Sequence, residues 1–159
     1  MKNKYNMTKD DNIFFAKRKL VDNIYKSANL EGIKVTISDI YSFINNINTG
    51  KISVDDMLKL KGLKDSWQFV LDTIDETLTI DYIKKVHFEI CKGQNVYPLG
   101  EFRDRGVGIT GTAWRPKLPS ECNYDEELTE ILSMPNELER CIHLFCWIQR
   151  SQMFLDGNK

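Results

Sequence analysis

Apolar residues recur along most of the chain with a spacing close to 3.6, which predicts a series of amphipathic helices. The longest pattern lies between Thr8, a plausible N-cap, and Gly32, a plausible stop, and it predicts one long helix. Thr36 or Ser38 can cap a second helix, which the Asn-Thr-Gly sequence at residues 48–50 ends. The N-terminal third of the chain is therefore predicted to be helical.

The same spacing predicts five further helical pieces. They cover Ser53–Leu60, Gly62–Asp75, Thr79–Lys92, Tyr124–Leu132 and Asn136–Arg150. Between Gly93 and Pro116, glycine and proline are too frequent for a helix, and two short alternating runs at residues 101–103 and 107–109 predict a small β-hairpin. The sequence has no repeats and only a weak boundary near residues 60–63. We therefore expect one mainly α domain over residues 1–159, with a small β-hairpin.

Composition narrows the kind of partner. The 159 residues are 42% apolar, and 22 basic residues nearly balance 23 acidic ones. That balance gives no overall field that would recruit nucleic acid or an anionic membrane. The four cysteines form no CxxC pair, and two histidines are too few for a zinc-ligand pattern. No apolar run approaches the length of a membrane span, so we expect a cytoplasmic protein without nucleic-acid or membrane partners.

The last residues carry the most distinctive chemistry, Asp156-Gly157-Asn158-Lys159. Gly157 permits a positive φ and lets a phosphate approach its N–H, while the side-chain amide of Asn158 can hold the turn. Asp156 can ligate a divalent metal that bridges phosphate oxygens, and Lys159 adds positive charge. Taken by itself, this sequence is a common surface turn.

Together with Phe154, the segment resembles the motif of the Fic (Fido) family, His-x-Phe-x-Asp/Glu-Gly-Asn-Gly/Lys-Arg. Phe154, Asp156, Gly157, Asn158 and Lys159 match it, and Gln152 stands at the histidine position. Two other segments are similar to family features in the expected order. The segment at residues 100–116 resembles the Fic flap, and Ser27-Ala28-Asn29-Leu30-Glu31-Gly32 resembles the motif of an N-terminal inhibitory helix.

The resemblance implies a helical bundle with three functional parts: the helix at residues 8–32, the flap hairpin at 100–116, and the motif helix and loop at 136–159. It also implies AMP transfer from ATP to a hydroxyl group of a target protein, with Mg²⁺ as cofactor. In that chemistry the motif histidine, whose position Gln152 occupies here, takes the proton. Asp156 holds Mg²⁺, and the nucleotide phosphates lie against Gly157, Asn158 and Lys159.

Two other roles follow from the resemblance. The target would pair along the flap at Val107, Gly108, Ile109, Thr110 and Gly111. Glu31 would obstruct the γ-phosphate from its place on the N-terminal helix. Ser27 and Gly32 are the other residues of this inhibitory motif. From the residues themselves, Glu31-Gly32 can equally be the end of a helix with a glycine stop.

The sequence departs from the family pattern in two places. Gln152 is a neutral amide and cannot accept the proton, so we expect AMP transfer to be weak or absent. Lys159 is the last residue, so the motif arginine and the helix after it are missing, and we expect a truncated product or a fragment. Without that helix, the apolar faces around Leu20 and Phe145 would lack a partner and favour homo-oligomers.

Two alternatives remain open at this point. The chain can be a non-enzymatic module, or half of a paired domain, that holds a partner's extended segment along the flap. It can also transfer a group other than AMP, as the phosphorylating Doc relatives do. Trp114, beside the flap, is either a clamp for a bound group or an anchor at the rim of the hairpin.

Overall fold

The chain is mainly α-helical, as its apolar spacing predicts. A computed structural model describes residues 6–47 and 50–158, and within these ranges it contains α-helices, one short 3₁₀ turn and no β-strand. The helices are α1 (Lys9–Arg18), α2 (Leu20–Leu30), α3 (Ile37–Ile44), α4 (Val54–Asp72), α5 (Ile80–Cys91), α6 (Tyr124–Ser133) and α7 (Glu137–Ser151), and the 3₁₀ turn covers Pro119–Glu121. None of the helices in the described ranges combines the length and the apolar character that a membrane crossing requires.

Local capping chemistry explains most helix starts. The Thr36 hydroxyl accepts a hydrogen bond from the N–H of Asp39, and the Asp39 carboxylate accepts one from the N–H of Thr36, which together form a capping box. Ser53 caps α4 and Asn136 caps α7 in the same way, each with a side-chain oxygen accepting from the third helical N–H. These caps fix the helices close to their predicted starts.

The prediction of one long helix between Thr8 and Gly32 is wrong in one respect, because the structure divides this stretch into α1 and α2 at Lys19. The backbone of Lys19 has φ −94° and ψ 3°, and its N–H donates to the carbonyls of both Phe15 and Ala16, at 3.0 and 3.2 Å. A shared donor of this kind tightens the last turn of a helix towards 3₁₀ geometry. The turn therefore ends α1 without a glycine or proline.

The two helical pieces predicted on either side of residue 61 are one helix, α4. Gly62 lies buried inside it and does not end it. A Cβ atom at this position would stand 1.9 Å from the carbonyl oxygen of Ile90 in α5. Gly62 is therefore a close-packing position, where two backbones approach further than a side chain would allow.

The described residues group into two compact units, and α5 contributes to both. The first, called here the loop unit, consists chiefly of Thr77–His87 and Val96–Asn158. Its core contains Ile80, Ile83, Tyr124, Leu128, Met153 and Phe154. The second, called the N-terminal unit, consists of Met7–Glu76 and Phe88–Asn95, and its core contains Ile24, Ala28, Ile33, Ile40 and Leu60. The single domain over residues 1–159 stays a prediction.

The predicted β-hairpin at residues 100–116 is not supported, because this described segment contains no strand. Its main-chain pairing from residue 104 to residue 116 is limited to a turn, in which the N–H of Thr112 donates to the carbonyl of Ile109 at 3.2 Å. Glycine occupies three positions between residues 106 and 111. Glycines supply none of the cross-strand side-chain pairs that stabilise a sheet and lose more backbone entropy on ordering.

Candidate functional site

The loop that follows α7 contains most of the motif residues, and a left-handed residue begins it. Gln152 has φ 46° and ψ 56°, which ends the helix at the C-cap. Its side-chain amide donates to the carbonyl of Gln149 at 2.8 Å, so it lies back against the last turn of α7. The residue at the family's histidine position is thus partly occupied in closing its own helix.

Asn158 closes the loop from its other end. Its side-chain oxygen accepts from the N–H of Phe154 at 2.9 Å, and its side-chain nitrogen donates to the carbonyl of Phe154 at 2.8 Å. The Asn158 carbonyl in turn accepts from the side chain of Gln149 at 3.0 Å. Only 7% of Asn158 is exposed, so the closure lies inside the loop unit. The two hydrogen bonds between Phe154 and Asn158 thereby close residues 154–158 into a compact loop.

The tip of the loop is formed by Asp156 and Gly157. Gly157 has φ 69°, a backbone conformation that favours glycine. Its N–H donates to the Asp156 carboxylate at 2.8 Å, and Asp156 is exposed. The carboxylate and the N–H that a metal and a phosphate would use therefore bond to each other.

His87 holds the loop from α5. Its ring stacks on Phe154 with centroids 3.8 Å apart and planes 4° from parallel. Nδ1 lies 3.1 Å from the donating N–H of Gly100, and Nε2 lies 2.9 Å from the carbonyl of Asp156. Since Nδ1 accepts, Nε2 must carry the proton and donate. Burial lowers the pKa of His87 from 6.5, which favours the neutral ring that this arrangement requires.

Arg103, which lies between α5 and the 3₁₀ turn, also holds the loop. Its Nε donates to the carbonyl of Gln152 at 2.6 Å, and its two terminal nitrogens donate to the carbonyls of Arg105 and Lys117, at 2.7 and 2.5 Å. Its own N–H donates to the carbonyl of Met153 at 3.0 Å. Arg103 is 2% exposed, so these carbonyls are what satisfies a buried cation.

The carboxylate at the tip suits a metal that arrives with a nucleotide better than a free metal ion. Among the described residues there is no group of three or more His, Cys, Asp or Glu side chains that could hold an ion. Mg²⁺ in nucleotide sites commonly takes one or two carboxylates and completes its shell with phosphate oxygens and water. The single exposed carboxylate of Asp156 fits a magnesium ion whose other ligands are phosphate oxygens and water.

The structure brings four of the predicted site residues into one loop: Gln152, Asp156, Gly157 and Asn158. Lys159 lies outside the described residues. The flap residues Val107, Gly108, Ile109, Thr110 and Gly111 belong to the same unit as the loop.

Glu31 and the other residues of the proposed inhibitory motif belong to the N-terminal unit. Glu31 is the C-cap of α2 and donates its N–H to the carbonyl of Ser27, and Gly32 follows with φ 77°. This is the geometry of a helix end with a glycine stop. The inhibitory role stays a prediction.

Trp114 takes the position of an anchor. Its Nε1 donates to the carbonyl of Arg150 at 3.3 Å, and the Arg150 guanidinium lies 4.1 Å from the ring centroid. A cation over a tryptophan face is a favourable contact. Trp114 thus connects the end of the flap segment to the last turn of α7.

Comparison with known proteins leaves the resemblance resting on the motif residues. No protein-family model and no curated protein matches this chain. The Fic-like interpretation therefore depends on the residues of the loop, the flap and the α2 motif.

Sequence reasoning missed His87 as a part of the site. His87 lies on one face of the predicted Thr79–Lys92 helix with isoleucine and valine residues, and this position alone does not predict a contact with the loop. The pairing of His87 with Phe154 becomes visible only when α5 lies beside the loop. Arg103 directly follows the Gly-x-Phe of the flap-like segment, a position that predicts a bracing role, and the structure shows its Nε donating to the carbonyl of Gln152.

Proposed function

We propose that the loop at residues 152–158 binds the phosphates of a magnesium nucleotide, as in a Fic-type adenylyltransferase, with impaired transfer to a target hydroxyl. One observation carries this proposal. His87, Arg103 and Asn158 fix the loop, while its tip presents Gly157 and an exposed carboxylate. A preformed loop of this kind avoids the entropy of ordering on binding, which favours affinity.

The bond between Asp156 and the N–H of Gly157 gives the proposed site a specific behaviour. Asp156 gives up this N–H when it turns to a magnesium ion, and the same movement frees the N–H for a phosphate oxygen. Metal and phosphate then assist each other, because each replaces one half of the internal hydrogen bond. Nucleotide affinity should accordingly depend on Mg²⁺ more steeply than electrostatic attraction by itself requires.

Weak transfer follows from the side chains near the loop. Gln152 cannot take a proton at any accessible pH. His87 touches the loop, but its Nδ1 accepts from Gly100 and its protonated Nε2 donates to Asp156. His143 lies exposed on α7 and more than two helical turns before Gln152. A positioned base contributes about 10²–10⁴ in rate, and this is the factor we expect to be lost.

The proposal is tested by titration calorimetry of the full chain with ATP, with and without Mg²⁺. We expect binding that requires the metal and that Asp156→Asn weakens at least about tenfold, since one carboxylate–metal contact is lost. Asp125→Asn, an exposed carboxylate at the start of α6, serves as the matched control and should leave the affinity unchanged. The absence of binding heat with Mg-ATP, measured on folded wild-type protein, would refute the proposal.

Labelled ATP then addresses the transfer step. With a mixture of candidate targets, we expect Gln152→His to label protein and wild type to label little or none. Efficient labelling by wild type would show that another group replaces the base. Labelling that depends on the γ-phosphate and not on AMP would favour the phosphorylating alternative.

The second candidate is a non-enzymatic module that holds a partner along residues 106–111. Within the described chain, Val107 and Gly108 make no main-chain hydrogen bond, so their N–H and C=O groups are available to an extended partner segment. A partner bound there would supply the strand pairing that this segment lacks by itself. Size-exclusion chromatography with light scattering tests the version in which two copies pair, and a strict monomer would remove it.

A further inference from the structure

One concave surface of the N-terminal unit has no role in the proposed function. Helices α1, α2 and α4 form a groove of about 720 Å³ between them. Small-molecule sites commonly have volumes of about 300–1,000 Å³. The groove is therefore large enough for an elongated small molecule.

The floor of the groove is apolar, and the aromatic side chains of Phe15 and Trp67 line it together with aliphatic ones. Ile13 and Ala16 line it from α1, Val70 and Leu71 line it from α4, and Ile74 lines it from the turn after α4. Ile74 is 43% exposed, although it belongs to an apolar wall. Apolar surface left in water in a concave site is covered at a gain of about 25 cal/mol per Å². The floor favours a flexible hydrocarbon ligand.

The rim of the groove is basic. Lys9 is paired with Asp75, and Lys26 is paired with Asp22 at 2.9 Å. Lys19 also lines the groove, and in the part of the chain that the structure describes no carboxylate lies within ion-pair distance of it. Lys19 stands at the break between α1 and α2 and lines the groove there.

We propose that this groove binds a long-chain aliphatic carboxylate, with its hydrocarbon chain along the floor and its carboxylate at Lys19. The cation selects an anionic head group, because a positively charged one would meet three lysines at the rim. Three lysines line the groove and two carboxylates, Asp22 and Asp75, pair with them, so one positive charge remains and matches a single negative charge on the ligand. This site is separate from the nucleotide loop, so its failure and that of the proposed function are distinguishable.

The first test is titration of the full chain with dodecanoate below its micelle concentration, followed by amide chemical shifts. We expect saturable binding with shifts at Ala16, Lys19 and Val70. Each methylene buried contributes about 0.8 kcal/mol, so affinity should rise about fourfold per methylene from octanoate to dodecanoate. Dodecylammonium should bind more weakly than dodecanoate.

Two variants with a matched control locate the ligand. Lys19→Glu should weaken dodecanoate binding about fivefold or more, the range expected for reversing one exposed charge contact. Lys34→Glu makes the same charge change at an exposed position outside the groove and should change affinity less than twofold. Ala16→Trp fills the floor and should abolish binding, with circular dichroism confirming that the helices remain.

Several results would overturn the proposal. Affinity that does not depend on chain length, equal binding of the alkylammonium, or equal effects of Lys19→Glu and Lys34→Glu would each remove it. Saturable binding of an acidic amphipathic peptide without any binding of dodecanoate would replace it with a peptide groove. Binding of ATP has no bearing on these outcomes.

Discussion

Replacing His87 by phenylalanine should destabilise the loop unit while leaving the ring stack on Phe154 possible. The substitution removes the acceptor for the N–H of Gly100 and the donor to the carbonyl of Asp156. Gly100 is buried, so its orphaned N–H costs about 1–3 kcal/mol. The partly exposed carbonyl of Asp156 can reach water, so its lost bond costs about 1 kcal/mol. We expect a total loss of about 2–4 kcal/mol.

Urea unfolding followed by circular dichroism measures this loss, and His143→Phe provides the matched control. His143 is exposed on α7, so its replacement should change the free energy of unfolding by less than about 0.5 kcal/mol. With an m-value of about 1–3 kcal/mol per molar urea, the His87 variant should unfold at about 1–2 M less urea. Equal midpoints for the two variants would refute the role of His87 as an anchor.

The same histidine predicts a direction of pH dependence. The folded-state pKa of His87 is lowered by burial from 6.5, so below that pH the unfolded chain takes up the proton first. Stability should therefore be complete above pH 6.5 and fall as the pH is lowered until the folded-state pKa is passed. The His87→Phe variant should lose this part of the slope. Nitrogen NMR of the wild-type ring at pH 7 should show a protonated Nε2, and a protonated Nδ1 would contradict the hydrogen-bond assignment.

Three further substitutions test the fold by urea unfolding. Gly62→Ala should cost at least about 3 kcal/mol, because its Cβ would lie 1.9 Å from the carbonyl oxygen of Ile90. Gly106→Ala is the control and should cost less than about 1 kcal/mol, because the space around Gly106 is open. Similar losses at both glycines would contradict the close approach of Gly62 to Ile90. Arg103→Lys should cost about 2–3 kcal/mol, because a compact ammonium lacks the planar fork that places one donor at each of the three carbonyls. An unchanged midpoint would mean that the fork is dispensable. Thr36→Ala should cost about 1 kcal/mol through the lost cap of α3, and no loss would show that the cap is unimportant.

The features that could be predicted from sequence are those decided within one turn of chain. Thr36, Ser53 and Asn136 cap helices because a short polar side chain three residues before an N–H can reach it in almost any surroundings. The helical class follows from these signals and from apolar spacing. The absence of a helix between Gly93 and Pro116 follows from the frequency of glycine and proline there.

The features that could not be predicted depend on neighbours distant in sequence. Gly62 resembled a helix stop, and only the approach of Ile90 shows why a glycine is needed inside α4. The alternating run around Val107 resembled a strand, but a strand requires a partner, and the glycines beside it weaken that pairing. His87 became part of the candidate site through a contact that spans 69 residues of sequence.

Arg103 gives the candidate loop an attachment that solution conditions hardly reach. Its three side-chain partners are main-chain carbonyls, which do not titrate. Because the group is buried, dissolved ions also screen it poorly. Of the two tethers, then, the imidazole is the one whose pKa burial shifts, while the guanidinium attaches the start of the loop at Gln152.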